Sequence, residues 1–307
     1  GEPTLCGINF FRNVVALQQR HGKGKRIMNA FQTNGVLLND EWCRFFREND
    51  WLVGISVDGP AELHDAYRVN RRGNSTHQKV LAAIEKLCIH QVSFNLLTVV
   101  NQQNSQQPER VYRFLRALGT PFLQFIPLVE QGNPSSVSDR EWGTFLKAIF
   151  DLWVREDVGR VFVQLFDSML GVWSGYPAQM CSLAERCGHA FALEANGDLY
   201  QCDHYVYPEY CLGNIHQMPI SVLNQTAAAR AFGEIKHDSL TDECRQCSVL
   251  PLCNGDCPRH RLNGKSVLCE GYRDFFFHSA PYMRAMRDLI RHQRSPAELM
   301  KQLRQSG

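Results

Sequence analysis

Apolar positions in the first half of the chain alternate between a helical period and short continuous runs, the pattern of βα units. Ile8, Phe11 and Val15 share one face of a predicted helix over residues 8–20. Residues 27–34 read as a strand stopped by Gly35. Asn39-Asp40-Glu41 is a helix start, with Trp42, Phe45 and Phe46 behind it. Leu52–Val57 is a buried-type strand that ends at Asp58-Gly59-Pro60. The next helix enters near Ser75 and carries Val80, Ala83, Ile84 and Leu87 at helical spacing. Val92–Val100 is the third strand. Pro108 opens a helix with Val111, Phe114, Leu115 and Leu118 on one face, closed by Gly119. Phe122–Val129 is the fourth strand, and residues 139–156 form a helix with Phe145, Ile149, Leu152 and Trp153 inward.

Strands alternating with helices imply an α/β fold with parallel strands, whose chemistry sits at the strand carboxyl ends. Gln32, Thr33, Asn34, Ser56, Asp58, Asn101 and Glu130 fall at those ends. Each is also explained singly as an ordinary loop polar residue. After residue 175 the pattern changes to short strands, turns and cysteines. Asn196-Gly197, between Phe191–Glu194 and Leu199–Gln201, is a strong hairpin signal. Residues 219–232 and 279–304 read as helical. This half has little apolar periodicity, so metal sites are expected to supply much of its stability. The expected division is a barrel segment over 1–160, a cysteine-rich domain over 175–278 and a helical segment over 279–307.

The chain has 307 residues and a formal charge of +2. It carries no basic run of the kind that binds nucleic acid. No apolar run reaches the roughly 18 residues of a membrane span, and no secretion signal is visible. Twelve cysteines in such a chain argue for thiolate ligation in a reducing compartment, the cytoplasm, rather than for disulfides. Eight lie between Cys181 and Cys269, and the densest run is Cys244-x2-Cys247-x5-Cys253-x3-Cys257. Four thiolates hold one zinc ion or one cubane iron–sulfur cluster, so eight supply two such sites. Spacing alone would group Cys244, Cys247, Cys253 and Cys257. Cys6, Cys43, Cys88 and Cys211 lack ligand spacing, and Cys43 and Cys88 read as small buried helix residues.

The series Cys181-x5-Cys187-x14-Cys202, then Cys244-x2-Cys247-x5-Cys253-x3-Cys257-x11-Cys269, resembles the SPASM domain of radical SAM enzymes, in particular the anaerobic sulfatase-maturating enzymes. Gly1–Leu5, Phe31–Gly35, Ser56–Pro60, Phe125–Glu130 and Cys202–Pro208 extend the likeness in order over nearly the whole chain. The resemblance implies a partial (β/α)6 barrel and two auxiliary [4Fe–4S] clusters. It assigns Cys181, Cys187, Cys202 and Cys257 to the first and Cys244, Cys247, Cys253 and Cys269 to the second. It further implies that a 5′-deoxyadenosyl radical takes a hydrogen from Cβ of a sulfatase Cys or Ser, giving formylglycine. Asp203, beside Cys202, would take the side-chain proton. Its plainer reading is a turn residue or a hydrogen-bond partner of the cluster loop.

For S-adenosyl-L-methionine (SAM), the resemblance implies that the Gly1 backbone meets the methionyl amine and that Ser56 donates to the ribose or carboxylate. Arg68 would fork onto the carboxylate, and Leu128 would lie along the adenine. A sulfatase polypeptide and an electron donor such as a flavodoxin or ferredoxin are the implied partners. The family's Cys-x3-Cys-x2-Cys motif, which holds a third [4Fe–4S] cluster, is not found in this sequence. The barrel is therefore expected to be N-terminally incomplete, with residues 27–34 an open apolar edge, and the chain alone to lack radical activity. Other expectations kept open are a SPASM enzyme modifying a non-sulfatase peptide and a non-catalytic zinc module that docks peptides.

Overall fold

A computed structural model describes residues 1–188 and 190–305. The chain divides into two compact units. The first comprises residues 1–137, 144–167 and 293–307, and the second residues 138–143 and 168–292.

The first unit holds a five-stranded sheet in the order β1 (Ala30–Thr33), β2 (Leu52–Ser56), β3 (Phe94–Val100), β4 (Phe122–Pro127) and β5 (Phe162–Val163), every pair parallel. The four expected strands form within a few residues of their predicted limits. β5 escaped the sequence reading because two residues cannot display a period. β1 pairs on one side only, with β2, and Ile27 and Met28 just before it are exposed. The helices between strands run Asp40–Glu48, His77–Ile89 and Pro108–Arg116. Asn39 caps the first by accepting from Trp42 N at 3.0 Å, as the Asn-Asp-Glu start implies. Behind β1, Phe11, Phe31, Trp42, Phe45, Phe46 and Trp51 pack ring against ring, with Phe31 and Phe46 centroids 4.9 Å apart. Cys43 is fully buried as expected, whereas Cys88 is exposed, because it falls on the solvent side of its helix.

In the second unit, β6 (Ala192–Leu193) and β7 (Asp198–Tyr200) form the hairpin predicted around Asn196-Gly197, and β8 (Cys211–Asn214) adds to β7. Gly197 turns with φ +90°, which explains the glycine. The helix expected at 219–232 forms as two, Ile220–Leu223 and Ala227–Asp238, the second capped by the Thr226 hydroxyl accepting from Ala229 N. The predicted 279–304 helix is two: Cys269–Arg291 and Glu298–Gln305. The first buries Tyr272, Phe275, Phe276, Met283, Met286 and Leu289. This half therefore owns a larger apolar core than its sequence suggested, and this helix supplies many of its large buried side chains. At its start Gly271 lies so close to the Asp139 carbonyl that a Cβ there would sit 1.9 Å from the oxygen. Among the described residues, no helix is long and apolar enough to cross a membrane.

Phe46 is fully buried at the centre of the aromatic cluster. Phe46→Ala is expected to lower stability by about 3–5 kcal/mol. Urea unfolding, followed by tryptophan fluorescence, reads this as a lower midpoint at unchanged slope.

Candidate functional site

Two sets of groups bear chemistry, one in each unit. In the first, the carboxyl ends of the parallel strands carry a connected polar network. Asp58, two residues beyond β2, is buried and receives one edge of the Arg68 guanidinium: Nε at 2.5 Å and Nη2 at 3.2 Å. It also accepts from Val99 N at 2.9 Å, tying β2 to β3. The Asp58 amide donates to His64 Nδ1 at 3.3 Å, and the opposite ring nitrogen lies 3.1 Å from the Thr76 hydroxyl. That hydroxyl in turn donates to the Arg68 carbonyl at 2.5 Å. With Nδ1 accepting, His64 is the neutral Nε2–H tautomer, and burial holds it down to about 4. Arg68 is thus held from both ends, by its guanidinium and by its own carbonyl.

Glu2 performs the same service for the first residues. Its carboxylate accepts from Thr33 Oγ1 at 2.7 Å, Asn34 N at 2.8 Å and both Thr4 donors, which moors Gly1-Glu2-Pro3 at the end of β1. Burial pushes its pKa up, but these hydrogen bonds outweigh that and hold it below the ordinary carboxylate range. Ser56 ends β2 and is buried. Leu128 follows β4 and donates its amide to Val100 O at 2.8 Å. Gly1, Ser56, Arg68 and Leu128 therefore all belong to the carboxyl ends of one sheet. The sequence reading missed Glu2, His64 and Thr76 as the residues that hold this edge. Asp58, which it placed there without a role, is the hub. A polar cluster at Asp58 to Thr76 on the approach to a helix was the available signal.

In the second unit all eight ligand-spaced cysteines are free thiols. Cys244, Cys247, Cys253 and Cys269 line one cavity of about 340 Å³, together with Lys265, Ser266 and Arg273. Cys269 opens its helix, and Cys244 lies in a single turn capped by Thr241. Cys257 is not part of that lining. It interacts electrostatically with Cys181 and Cys202, and Cys181 with Cys187. His204 stands between two of them, its amide 3.5 Å from Cys202 Sγ and its Nδ1 3.7 Å from Cys257 Sγ. Burial pushes the Cys202 and Cys253 thiols up to about 12 and Cys257 and Cys269 to about 11. Metal binding must displace those protons. Asp203 is exposed, and its Oδ1 accepts from Cys202 Sγ at 3.2 Å.

The residues fit an iron–sulfur group. The thiol-lined cavity has the size of a small-cofactor site, within the usual range of roughly 300–1,000 Å³. Among the described residues, no three His, Cys, Asp or Glu side chains converge tightly enough to hold a single metal ion.

The model of the radical SAM superfamily matches residues 1–115, and that of the SPASM iron–sulfur cluster-binding domain matches residues 181–248. A serine-type anaerobic sulfatase-maturating enzyme of Bacteroides thetaiotaomicron is 41% identical over 331 residues, covering 99% of this chain and 80% of that protein. A cysteine-type counterpart from Clostridium novyi is 33% identical over 293 residues, covering 90% of this chain and 78% of that protein. The solved structure of anSMEcpe with bound AdoMet and Kp18Cys peptide superposes with a TM-score of 0.88 at 33% identity, covering 94% of this chain and 83% of that one.

A parallel α/β sheet followed in the chain by an iron–sulfur cluster-binding domain defines a radical SAM oxidoreductase of the SPASM class. Within that class, the chain belongs to the anaerobic sulfatase-maturating enzymes.

Because His64 is buried neutral with its pKa near 4, below the unfolded value of about 6.5, it stabilises the fold above pH 6.5. That contribution, roughly 3 kcal/mol, is lost as pH falls through 4. His64→Gln is expected to flatten the acid limb of stability between those pH values. Denaturant midpoints measured across that range test it.

Proposed function

We propose that the protein, with the family's Cys-x3-Cys-x2-Cys cluster in place to reduce SAM, oxidises a serine or cysteine side chain of a sulfatase polypeptide to formylglycine, with Asp203 as the base. The observation that carries this reading is the 3.2 Å contact between Asp203 Oδ1 and Cys202 Sγ, inside a chain of sulfatase-maturase sequence. That hydrogen bond exists only while the thiol keeps its proton. Once Cys202 ligates iron as a thiolate it has no proton to donate, and the Asp203 carboxylate is left as an exposed acceptor for a substrate O–H or S–H.

SAM supplies the hydrogen-abstracting radical when bound. The chain's own part is to orient it. The Gly1 backbone, moored by Glu2, would receive the methionyl amine. Ser56 would donate to the ribose or carboxylate, and Leu128 would face the adenine. Arg68 would meet the carboxylate through the guanidinium edge that Asp58 does not take.

The two auxiliary sites would be held by Cys181, Cys187, Cys202 and Cys257, and by Cys244, Cys247, Cys253 and Cys269. The shared cavity of the second set and the mutual electrostatic influence within the first support this division. A flavodoxin or ferredoxin in the cytoplasm would deliver electrons.

Anaerobically reconstituted chain is expected to hold two clusters, about four irons each. Cys187→Ala and Cys269→Ala should each remove about half the iron, and the double variant nearly all of it. Iron and sulfide analysis checks this, and loss of only one site in the double variant would break the assignment. In the protein as its gene encodes it, Asp203→Asn is expected to slow formylglycine formation on a Ser- or Cys-containing sulfatase peptide by about 10²–10⁴-fold at unchanged iron content. Mass spectrometry of the two peptides reads the rate and also tells which residue is the target.

A further inference from the structure

Lys236, in the cysteine-free helix Ala227–Asp238, is completely buried. Lysines are almost never so placed unless paired. Its ammonium donates to the carbonyls of Cys181 and Ser182, each at 2.8 Å, and of Ala184. Those three bonds use all its N–H groups. Among the described residues no carboxylate lies within ion-pair distance of it. Its donors are satisfied by carbonyls, not by a carboxylate.

One turn earlier the same helix face meets the other end of the Cys181–Cys187 loop. Cys187 N donates to the Gly233 carbonyl at 3.4 Å, and a Cβ on Gly233 would come 2.5 Å from Cys187 O. Residues spaced i, i+3 share a helix face, so Gly233 and Lys236 together clamp the loop at both ends through its backbone. The carboxylate whose charge bears on the ammonium is Asp256, and Cys187 and Cys257 would join it once their thiols are ionised by a metal, while the Arg261 guanidinium opposes them. Two of the three are thiols of the first cysteine set.

We propose that Lys236 is a positioning residue for the Cys181, Cys187, Cys202, Cys257 site and the buried countercharge that makes its iron–sulfur group easier to reduce. An iron–sulfur group on four thiolates is anionic, and net charge and nearby hydrogen bonding set its potential. A cation held without water close by weighs heavily, because the surrounding dielectric is low. A compact ammonium with three rotatable donors suits three carbonyls converging on one point. The inference rests on the ligand assignment proposed above.

Two variants of the reconstituted chain test it. Lys236→Gln keeps N–H donors for the loop but removes the charge. One EPR signal is expected to shift its midpoint to more negative potential, the other to stay put, and iron content to hold. Lys236→Met removes donors and charge, and about half the iron should be lost. Full iron in Lys236→Met together with unshifted midpoints in Lys236→Gln would overturn the proposal. Cys187→Ala separates the two levels: if it leaves iron unchanged, the ligand assignment fails. If it halves the iron while both lysine variants behave as wild type, the Lys236 inference alone fails.

Discussion

The second unit depends on one turn, Asn254-Gly255-Asp256, where three consecutive residues take positive φ of 44°, 71° and 58°. Asn and Asp tolerate the left-handed region better than other side chains, and glycine enters it freely. The middle position must be glycine for a second reason, since a Cβ there would lie 2.4 Å from Leu240 and 2.6 Å from the Arg261 guanidinium. Arg261 locks the turn by donating to the carbonyls of Asn254, Gly255 and Asp256, and reaches back to Lys236 O at 2.8 Å. Asn254 spans to Leu183 O at 2.8 Å, which joins the turn to the Cys181–Cys187 loop. The consequence is a parting of thiols: Cys253 enters the cavity with Cys244, Cys247 and Cys269, and Cys257, four residues on, does not.

The first unit solves a comparable problem with charges in place of thiols. A buried Asp58 carboxylate is costly to desolvate unless paired and hydrogen-bonded. Arg68 supplies the pair, and Val99 N an additional bond. The same residue's amide fixes the tautomer of His64, and His64 with Thr76 fixes the backbone that carries Arg68. The arginine is therefore held from both ends, which leaves its side chain little rotamer freedom. The pairing of β2 with β3 and the backbone that carries Arg68 meet in a handful of polar groups at one edge of the sheet.

The amino-acid sequence by itself determined the parallel α/β class, because apolar periodicity and chain-local signals such as Asn39, Pro108 and Asn196-Gly197 are read from a few neighbouring residues. It also determined that eight thiols stand at metal-ligand spacing, and the likeness of their series to the SPASM domain pointed to iron–sulfur rather than zinc. The tertiary structure places Cys253 with Cys244, Cys247 and Cys269 around one cavity and leaves Cys257 out of its lining, where spacing alone would have put Cys257 in place of Cys269, because the course of the chain turns on the backbone hand of three residues and on an arginine that grips their carbonyls. It also decided the parts played by Glu2, His64 and Lys236. Each acts through partners distant in the chain, as far as Cys181 is from Lys236, and no local pattern marks a lone polar residue for burial. Short elements such as β5 and the apolar stripe of Cys269–Arg291 belong to the same class, for their meaning lies in what packs against them.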